Sequence, residues 1–238
     1  MISLKQIEKT YYGQGVETRV LKNLELEIQQ GEFVCIYGSS GSGKSTLLNI
    51  IGLLDEATSG IYELDGTDVN TLGEREKARI RNQKLGFVFQ AYHLIPELNA
   101  LENIVLPLGY AGVGRAERNK AAGRLLEEFG MLYLKNKYIS QMSGGEQQRI
   151  AIMRAMANQP KILLADEPTG NLDSENSEMA MGLLGQLNQS GTTIVMVTHD
   201  TALAQYGSRV IHVEDGRIKK SKSPMQERSF PILAPGAW

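Results

Sequence analysis

The chain has 238 residues, and its 25 Lys and Arg against 27 Asp and Glu give a net charge of −2, which excludes a global positive field for gripping nucleic acid. Hydrophobic residues make up 42% and charged residues 22%, so neither a disordered chain nor a coiled coil is expected. The single cysteine, Cys35, excludes an internal disulfide and a cysteine-based zinc site, and it fits a reducing compartment such as the cytosol.

No segment of the sequence predicts insertion into a membrane. Residues 1–6 lack the long apolar core of a secretory signal, and no later run approaches the roughly 18 apolar residues that a membrane span needs. We therefore expect that any function at a membrane is exerted from its surface.

Strands dominate the first 65 or so residues. Residues 24–28 alternate between apolar and polar side chains, and residues 33–37 form a short apolar run typical of a buried strand. After a glycine-rich turn, the apolar spacing of residues 44–53 becomes helical. Residues 60–66 then predict a hairpin strand closed by an Asp-Gly turn.

The middle of the chain changes character after one more predicted strand at residues 85–89. Between about residues 91 and 159 the composition is that of helices. Residues 115–130 in particular are amphipathic and rich in Ala, Arg, Glu and Leu. We therefore predict a mostly helical subdomain here.

The last third returns to a sheet. Residues 161–165, 175–189 and 192–197 predict strand, helix and strand in the alternation of parallel βαβ units. From Lys219 onward the chain has no periodicity and contains several lysines and prolines, which predicts a tail or a loosely docked extension.

A phosphate-binding loop is the first chemical motif. Residues 38–45 match G-x-x-x-x-G-K-[ST] between a predicted strand and a predicted helix, which is the context that the motif requires and that a merely flexible Gly/Ser loop would lack. Lys44 would reach the β- and γ-phosphates, and Ser45 would ligate Mg²⁺. The nucleotide-binding residues expected from this segment are Gly38, Ser39, Ser40, Gly41, Ser42, Gly43, Lys44, Ser45 and Thr46.

Two carboxylates end the predicted strand at residues 162–166. Ligands of doubly wound sheets bind at the carboxyl ends of strands, so Asp166 is expected in the Mg²⁺ shell and Glu167 beside an attacking water, which it would orient or deprotonate. A polar strand end without function is the alternative. The phosphate-binding loop upstream favours the functional interpretation.

Residues 143–149, Ser-Gly-Gly-Glu-Gln-Gln-Arg, resemble the signature motif of ATP-binding-cassette (ABC) ATPases, and the other family motifs stand in the right order around it. Gln90 matches the Q-loop glutamine, residues 170–173 the D-loop, His199 the H-loop, and Tyr11 the aromatic residue that stacks on adenine, although Tyr12 is its neighbour. Outside this order, His199 and Tyr11 would be ordinary polar and aromatic residues, and Ser143 with Glu146 a helix capping box.

The resemblance covers about residues 1–220 and implies an α/β fold of the P-loop NTPase class: a RecA-like core with an antiparallel β subdomain and an inserted helical subdomain. It implies one ABC ATPase domain, with residues 1–90 and 160–220 in the core and β subdomain, residues 91–159 in the helical subdomain, and 221–238 as a tail. The implied reaction is hydrolysis of ATP with Mg²⁺.

The family works as a dimer, in which the signature helix of one subunit points at the γ-phosphate held by the other. The resemblance thus adds Tyr11, Ser143, Gly144, Gly145, Glu146 and Asp173 to the nucleotide-binding residues. It implies Lys44, Gln90, Glu167 and His199 as catalytic and Ser45, Gln90 and Asp166 as Mg²⁺ ligands. Met142 and Glu146 depart from the usual Leu and Gln of the signature. We expect activity to survive, because a first-turn carboxylate is favoured by the helix dipole.

Residues 85–90, 95–96, 100–103 and 165–173 are similar to the LolD/MacB branch, which includes lipoprotein-release, macrolide-export and FtsE-like cassettes. This branch implies a homodimer beneath an integral membrane permease of the LolCE/MacB/FtsX type, on the cytoplasmic inner face of the membrane. Apolar residues that could dock the permease, or belong to the core, are Tyr92, Leu94, Ile95, Leu98 and Leu101.

Two other functions stay open. A soluble ABC ATPase acting on nucleic acid or ribosomes usually carries two cassettes, a coiled-coil insertion or zinc modules, and the length, lone cysteine and charge supply none of these, so no nucleic-acid partner is expected. A nucleotide-gated membrane scaffold without transported cargo is not separable from a transport motor at this level.

Overall fold

The computed structural model describes residues 1–13, 15–222 and 230. Its strands are β1 (Ile2–Gly13), β2 (Val16–Ile28), β3 (Phe33–Tyr37), β4 (Ser59–Leu64), β5 (Thr67–Asp68), β6 (Leu85–Phe89), β7 (Ile162–Asp166), β8 (Thr193–Thr198), β9 (Arg209–Glu214) and β10 (Arg217–Lys222). Its helices are α1 (Lys44–Ile51), α2 (Glu74–Lys84), α3 (Ala100–Ile104), α4 (Leu106–Tyr110), α5 (Arg115–Glu128), α6 (Gly144–Met156), α7 (Ser174–Gln189) and α8 (Thr201–Ala204).

The chain forms two compact units, each of mixed α/β structure. The first takes its described residues from Met1–Arg81 and Gly191–Ser229, and the second from Asn82–Ser190 and Phe230–Trp238. These compact units divide at 81/82 and 190/191, and the subdomain boundaries at 90/91 and 159/160 stay a prediction. In the second unit β6 and β7 pair with each other, and β6 packs on α6.

The first unit contains an antiparallel sheet in the order β2-β1-β4-β5. Leu24, Leu26 and Ile28 of β2 are buried between exposed polar neighbours, which confirms the predicted alternation. The predicted Asp-Gly turn is also confirmed, since Asp65 and Gly66 both have positive φ, 52° and 76°, between the paired β4 and β5.

Parallel strands in the same unit carry the loops that matter for function. β3 lies between β8 and β9 and pairs in parallel with both, and β10 adds an antiparallel edge next to β9. β3 is buried along Phe33 to Ile36, and Cys35 within it has no exposed surface. The predicted buried strand and the helix that follows it are thus confirmed, with α1 ending two residues before the predicted 53.

The second unit pairs β6 with β7 in parallel and also contains α3 to α7, of which α6 packs on β6. Its buried residues include Leu163 and Leu164 of β7, Ile150 of α6 and Leu184 of α7. The predicted strands at 85–89 and 161–165 and the predicted helices at 115–130 and 175–189 correspond to β6, β7, α5 and α7. The helices α3 to α6 all lie inside the predicted helical segment 91–159.

The C-terminal tail begins later than the sequence predicts. Lys219 to Lys222 belong to β10, so the tail boundary predicted at 221 falls inside a strand. Alternating hydrophobicity is absent from this strand because it is an edge, where lysines are typical, and its pairing with β9 determines its conformation. The remaining tail residues, 223–229 and 231–238, lie outside the described residues.

Candidate functional site

The glycine-rich loop at residues 38–43 connects the buried strand β3 to α1. Gly43 has φ 101°, a conformation that favours glycine, and it immediately precedes the first residue of α1. A Cβ at Gly38 would lie 2.1 Å from the carbonyl oxygen of Val213, so only glycine fits between the loop and β9. The loop therefore turns tightly and presents the N-terminus of α1, with its positive dipole end, to the space above β3.

Lys44 is the cation of this loop, and its side chain is buried rather than extended into solvent. Its Nζ donates hydrogen bonds to the carbonyl oxygens of Gly38 at 2.9 Å and Ser39 at 2.8 Å. Among the described residues, the buried Ser42 hydroxyl finds no hydrogen-bond partner. A buried ammonium, an orphaned hydroxyl and a helix N-terminus in one loop fit an anionic ligand. Ser45 is exposed and Thr46 half-buried on the first turn of α1.

Tyr11 is held by a small charged cluster. Its hydroxyl donates to Asp55 Oδ2 at 2.6 Å, and the Lys9 ammonium lies 4.7 Å from its ring centroid while donating to Asp55 Oδ1 at 2.6 Å. Burial alone would raise the Asp55 pKa, but the hydrogen bonds from Lys9 and Tyr11 outweigh it and hold the pKa below its usual value. The Tyr11 ring is thereby fixed, whereas neighbouring Tyr12 is 73% exposed.

His199 follows the last residue of β8, at the same sheet edge as the glycine-rich loop. Thr198 and Tyr37 are register partners in the parallel pair β3–β8, so His199 and Gly38 are the next residues on adjacent strands. The His199 side chain is exposed, and Asp200 behind it caps α8 by accepting from the Ala202 N–H at 2.7 Å. The first unit thus brings Tyr11, the loop with Lys44, and His199 to one region.

The second unit has the same arrangement at β6 and β7. Phe89 and Asp166 are register partners, so Gln90 and Glu167 directly follow neighbouring strand ends. Glu167 has φ 47°, a left-handed conformation that is strained for a glutamate and typical of functional sites. Asn171 joins the two loops: it accepts from Gln90 Nε2 at 3.3 Å and donates to the Gln90 carbonyl at 3.0 Å.

A capping box opens α6, as the sequence predicts. The Glu146 N–H donates to Ser143 Oγ at 3.2 Å, and the Ser143 N–H donates to Glu146 Oε2 at 2.8 Å. The Tyr133 hydroxyl donates to the other Glu146 oxygen at 3.0 Å. Burial by itself would raise the Glu146 pKa, but the hydrogen bonds from Ser143 and Tyr133 and the charge of Lys137 lower it overall. The carboxylate is therefore charged and fully engaged at neutral pH.

The starts of α6 and α7 are in contact through Gly145 and Asn176. A Cβ at Gly145 would lie 1.8 Å from Asn176 Oδ1, so the two helices approach closely only because residue 145 has no side chain. Asn176 is in turn bound to Asp173, the N-cap of α7, and to Arg149 of α6. Hydrogen bonds from the backbone and side chain of Asn176 lower the Asp173 pKa. Ser143, Gly144, Gly145, Glu146 and Asp173 thus form one structural group.

Arg154 of α6 fixes the segment after Gln90. Its guanidinium donates to the backbone carbonyls of Tyr92, at 2.8 Å, and His93. Both residues have positive φ, 58° and 49°. The docking residues predicted from this region are all partly accessible: Ile95 is 40% exposed, and Tyr92, Leu94, Leu98 and Leu101 are half-buried.

Several residues that support the site were not foreseen: Lys9, Asp55, Tyr133, Arg154 and Asn176. Each contacts a partner that is distant in the sequence; Tyr11 and Asp55, for example, are 44 positions apart. No local sequence pattern therefore predicts these contacts. No group of three or more His, Cys, Asp or Glu side chains within residues 1–13, 15–222 and 230 could hold a metal ion. In that same part of the chain, no helix is long and apolar enough to cross a membrane.

Comparison with known proteins gives consistent matches. Residues 21–170 match the family model described as ABC transporter. The chain is 48% identical over 228 residues to the uncharacterized ABC transporter ATP-binding protein YknY of Bacillus subtilis, covering 94% of this chain and 97% of YknY. It is 46% identical to the macrolide export ATP-binding/permease protein MacB of Mannheimia succiniciproducens, covering 95% of this chain but only 36% of MacB.

Solved structures agree with these matches. The dimeric structure of a post-hydrolysis state of the ATP-binding cassette MJ0796, bound to ADP and Pi, has a TM-score of 0.87 and 45% identity to this chain. The match covers 95% of this chain and 100% of that one.

Proposed function

The chain belongs to the ABC transporter family, and from this we propose that it is the motor subunit of a membrane complex, working as a nucleotide-sandwich homodimer beneath a permease with a large extracytoplasmic domain. Family membership and the likeness to the MJ0796 cassette confirm the predicted P-loop ABC ATPase fold and the predicted binding and hydrolysis of ATP. The observation that carries the proposal is that one chain holds a complete phosphate-binding loop, a glutamate after β7 and a capped signature helix.

Binding of the ATP phosphates falls to residues 38–46 of the first unit. The backbone N–H groups at the start of α1 would receive phosphate oxygens, and Lys44 would exchange its two carbonyl partners for the β- and γ-phosphates. Tyr11, fixed by Asp55 and Lys9, would stack on the adenine. His199, exposed beside the loop, would contact the γ-phosphate end.

Hydrolysis requires a positioned water and compensation of phosphate charge. Glu167, in its left-handed conformation after β7, would orient or deprotonate the attacking water. The residues that would hold Mg²⁺ are Ser45, Gln90 and Asp166, whose oxygen ligands suit this hard cation. When bound, Mg²⁺ neutralises charge on the phosphate oxygens. Gln90, bonded to Asn171, would report nucleotide binding to the docked permease.

The second half of each nucleotide site comes from the partner subunit in this proposal. Ser143, Gly144 and Gly145 begin the 13-residue helix α6, whose N-terminus would face the γ-phosphate bound by the other copy. Asp173 would act at the same interface, because Asn176 ties it to Gly145. The dimeric MJ0796 cassette supports this arrangement.

The permease partner is proposed to be of the LolCE/MacB/FtsX type. The MacB relative is named as both ATP-binding protein and permease, and this chain matches 36% of its length. We accordingly propose a single ABC ATPase domain over residues 1–220, peripheral on the cytoplasmic face of the membrane. Apolar side chains near Ile95 offer the docking surface, and no nucleic-acid partner is proposed.

The test is to purify tagged Glu167→Gln protein with ATP from solubilised membranes of its own host and to identify co-purifying proteins by mass spectrometry. This variant is expected to hold the closed dimer, and Lys44→Ala, prepared in the same way, is the matched control because it should not close. A permease with a large extracytoplasmic domain, enriched with Glu167→Gln over Lys44→Ala, is the expected result. Ribosomal or DNA-bound partners without a membrane protein would overturn the proposal.

A further inference from the structure

The signature helix carries a negative charge where it is proposed to meet a triphosphate. Glu146 lies in the first turn of α6, three residues after Ser143. The helix dipole favours a carboxylate there, but like charges repel, so a free Glu146 would oppose the partner's ATP. A chain with glutamate at this position therefore needs a device that holds the carboxylate.

Tyr133 makes the contact that can hold this carboxylate. Its hydroxyl donates to Glu146 Oε1 at 3.0 Å, while the Ser143 N–H occupies Oε2 at 2.8 Å. Both oxygens of the carboxylate are thus engaged, one by the capping box and one by a residue 13 positions earlier in the chain. The Lys137 ammonium lies 5.2 Å from the Tyr133 ring centroid and adds a positive charge on the same side.

Tyr133 has no evident structural reason to be an aromatic residue with a hydroxyl at this place. Its side chain is 52% exposed, so burial of the ring contributes little to the core of the second unit. The hydroxyl donates to Glu146 at the start of α6 and also faces the side chain of Arg149, later in the same helix. This combination, an exposed ring and a directed hydrogen bond to a charged group, is that of a residue that positions its neighbour.

We propose that Tyr133 is a positioning residue that locks Glu146 into the capping box, so that a signature helix bearing a carboxylate still accepts the partner subunit's ATP. The inference rests on the proposed sandwich dimer. Loss of the Tyr133 hydroxyl frees one carboxylate oxygen and lets the side chain swing across the helix start. The mobile carboxylate then competes with the partner's γ-phosphate for the N–H groups of Gly144 and Gly145.

The test measures ATP-induced dimerisation in the Glu167→Gln background by size-exclusion chromatography with light scattering, as a function of ATP concentration. Four further changes are compared: Tyr133→Phe, Glu146→Gln, the two together, and Tyr110→Phe. The last is the matched control, since Tyr110 is 82% exposed and loses the same hydroxyl. Thermal unfolding of each variant shows that the chain is folded at the assay temperature.

Tyr133→Phe is expected to raise the ATP concentration for half-maximal dimerisation about threefold to tenfold when Glu146 is present. With Glu146→Gln, which carries no charge to hold, the same change is expected to shift it less than about twofold. Tyr110→Phe should not shift it.

Equal shifts with Glu146 and with Glu146→Gln would mean that Tyr133 is merely structural, and no shift with either would remove its role; both results overturn the inference. A Glu167→Gln chain that binds ATP but never dimerises would overturn the proposed dimer, and the inference with it. The Glu167→Gln chain without a further change separates these failures, because it dimerises with ATP only if the proposed dimer is correct.

Discussion

The contact between Gly145 and Asn176 makes a sharp prediction for Gly145→Ala. The added Cβ would lie 1.8 Å from Asn176 Oδ1 and 2.3 Å from its Cγ, so the Asn176 side chain would have to move. It is not free to do so, because its amide donates to both Asp173 oxygens, at 3.0 and 3.1 Å, and accepts from Arg149 at 3.1 Å. A movement of Asn176 that relieves the clash therefore breaks its hydrogen bonds to Asp173 and Arg149.

The magnitude follows from these bonds. The Asp173 bonds are solvent-exposed and count for little, but Arg149 is only 5% exposed, and loss of a partner for a buried charged group costs about 1.5–3 kcal/mol. Displacement of the two helix starts adds a similar strain, of about 1–2 kcal/mol, and the better helix propensity of alanine returns about 1 kcal/mol. We expect a net destabilisation of about 1.5–4 kcal/mol, and with it a Tm lower by about 3–16 °C.

Thermal and urea unfolding of the purified chain measure this effect. Gly123→Ala is the matched control, because Gly123 lies within α5 and its added Cβ would meet no atom within 4 Å among the described residues. It should be more stable than the wild type by about 0.5–1 kcal/mol. Asn176→Ala should remove much of the penalty of Gly145→Ala when the two are combined. A Gly145→Ala protein as stable as Gly123→Ala would refute the reasoning.

Three further predictions concern the nucleotide site. Glu167→Gln should keep ATP binding and lose most steady-state hydrolysis in a phosphate-release assay, because the water loses its base; full wild-type turnover would contradict the assigned role. Lys44→Ala should weaken ATP binding itself in calorimetry, and unchanged affinity would remove Lys44 from the site. The Asp55 pKa is depressed when folded, so its contribution to stability is present above the unfolded value, about 4, and is lost as pH falls through the lower folded pKa. Thermal unfolding below pH about 4 should therefore show the wild type losing more of its stability than Asp55→Asn, and parallel losses would contradict the pairing with Lys9 and Tyr11.

Much of the fold is predictable because its signals are local. A buried apolar run predicts β3, and the Asp65–Gly66 pair predicts the turn between β4 and β5. Ser143 with Glu146 predicts a capping box that the structure contains. Each of these depends on residues within a few positions of one another. The phosphate-binding loop is predictable for the same reason, since glycine spacing between a strand and a helix is a local pattern.

The parts that were missed depend on distant contacts or on unusual burial. Helix α2 has no apolar stripe; its buried residue is Lys77, whose ammonium pairs with Glu56 and Glu74. A polar sequence of this kind indicates a loop as readily as a helix. The partners of Tyr11 and Glu146 were missed because pairing across 44 and 13 residues arises from packing, which no single segment records.

The position of Cys35 has a practical consequence for spectroscopy. Burial in β3 leaves this thiol with no exposed surface and raises its pKa, so it stays protonated and out of reach of maleimide reagents. Since it is the single cysteine in the sequence, a second cysteine placed on an exposed position outside the nucleotide-binding loop, such as Lys120 of α5, would be labelled selectively in the folded chain. The natural chain therefore already serves as the unlabelled background for distance measurements between two copies as nucleotide is added.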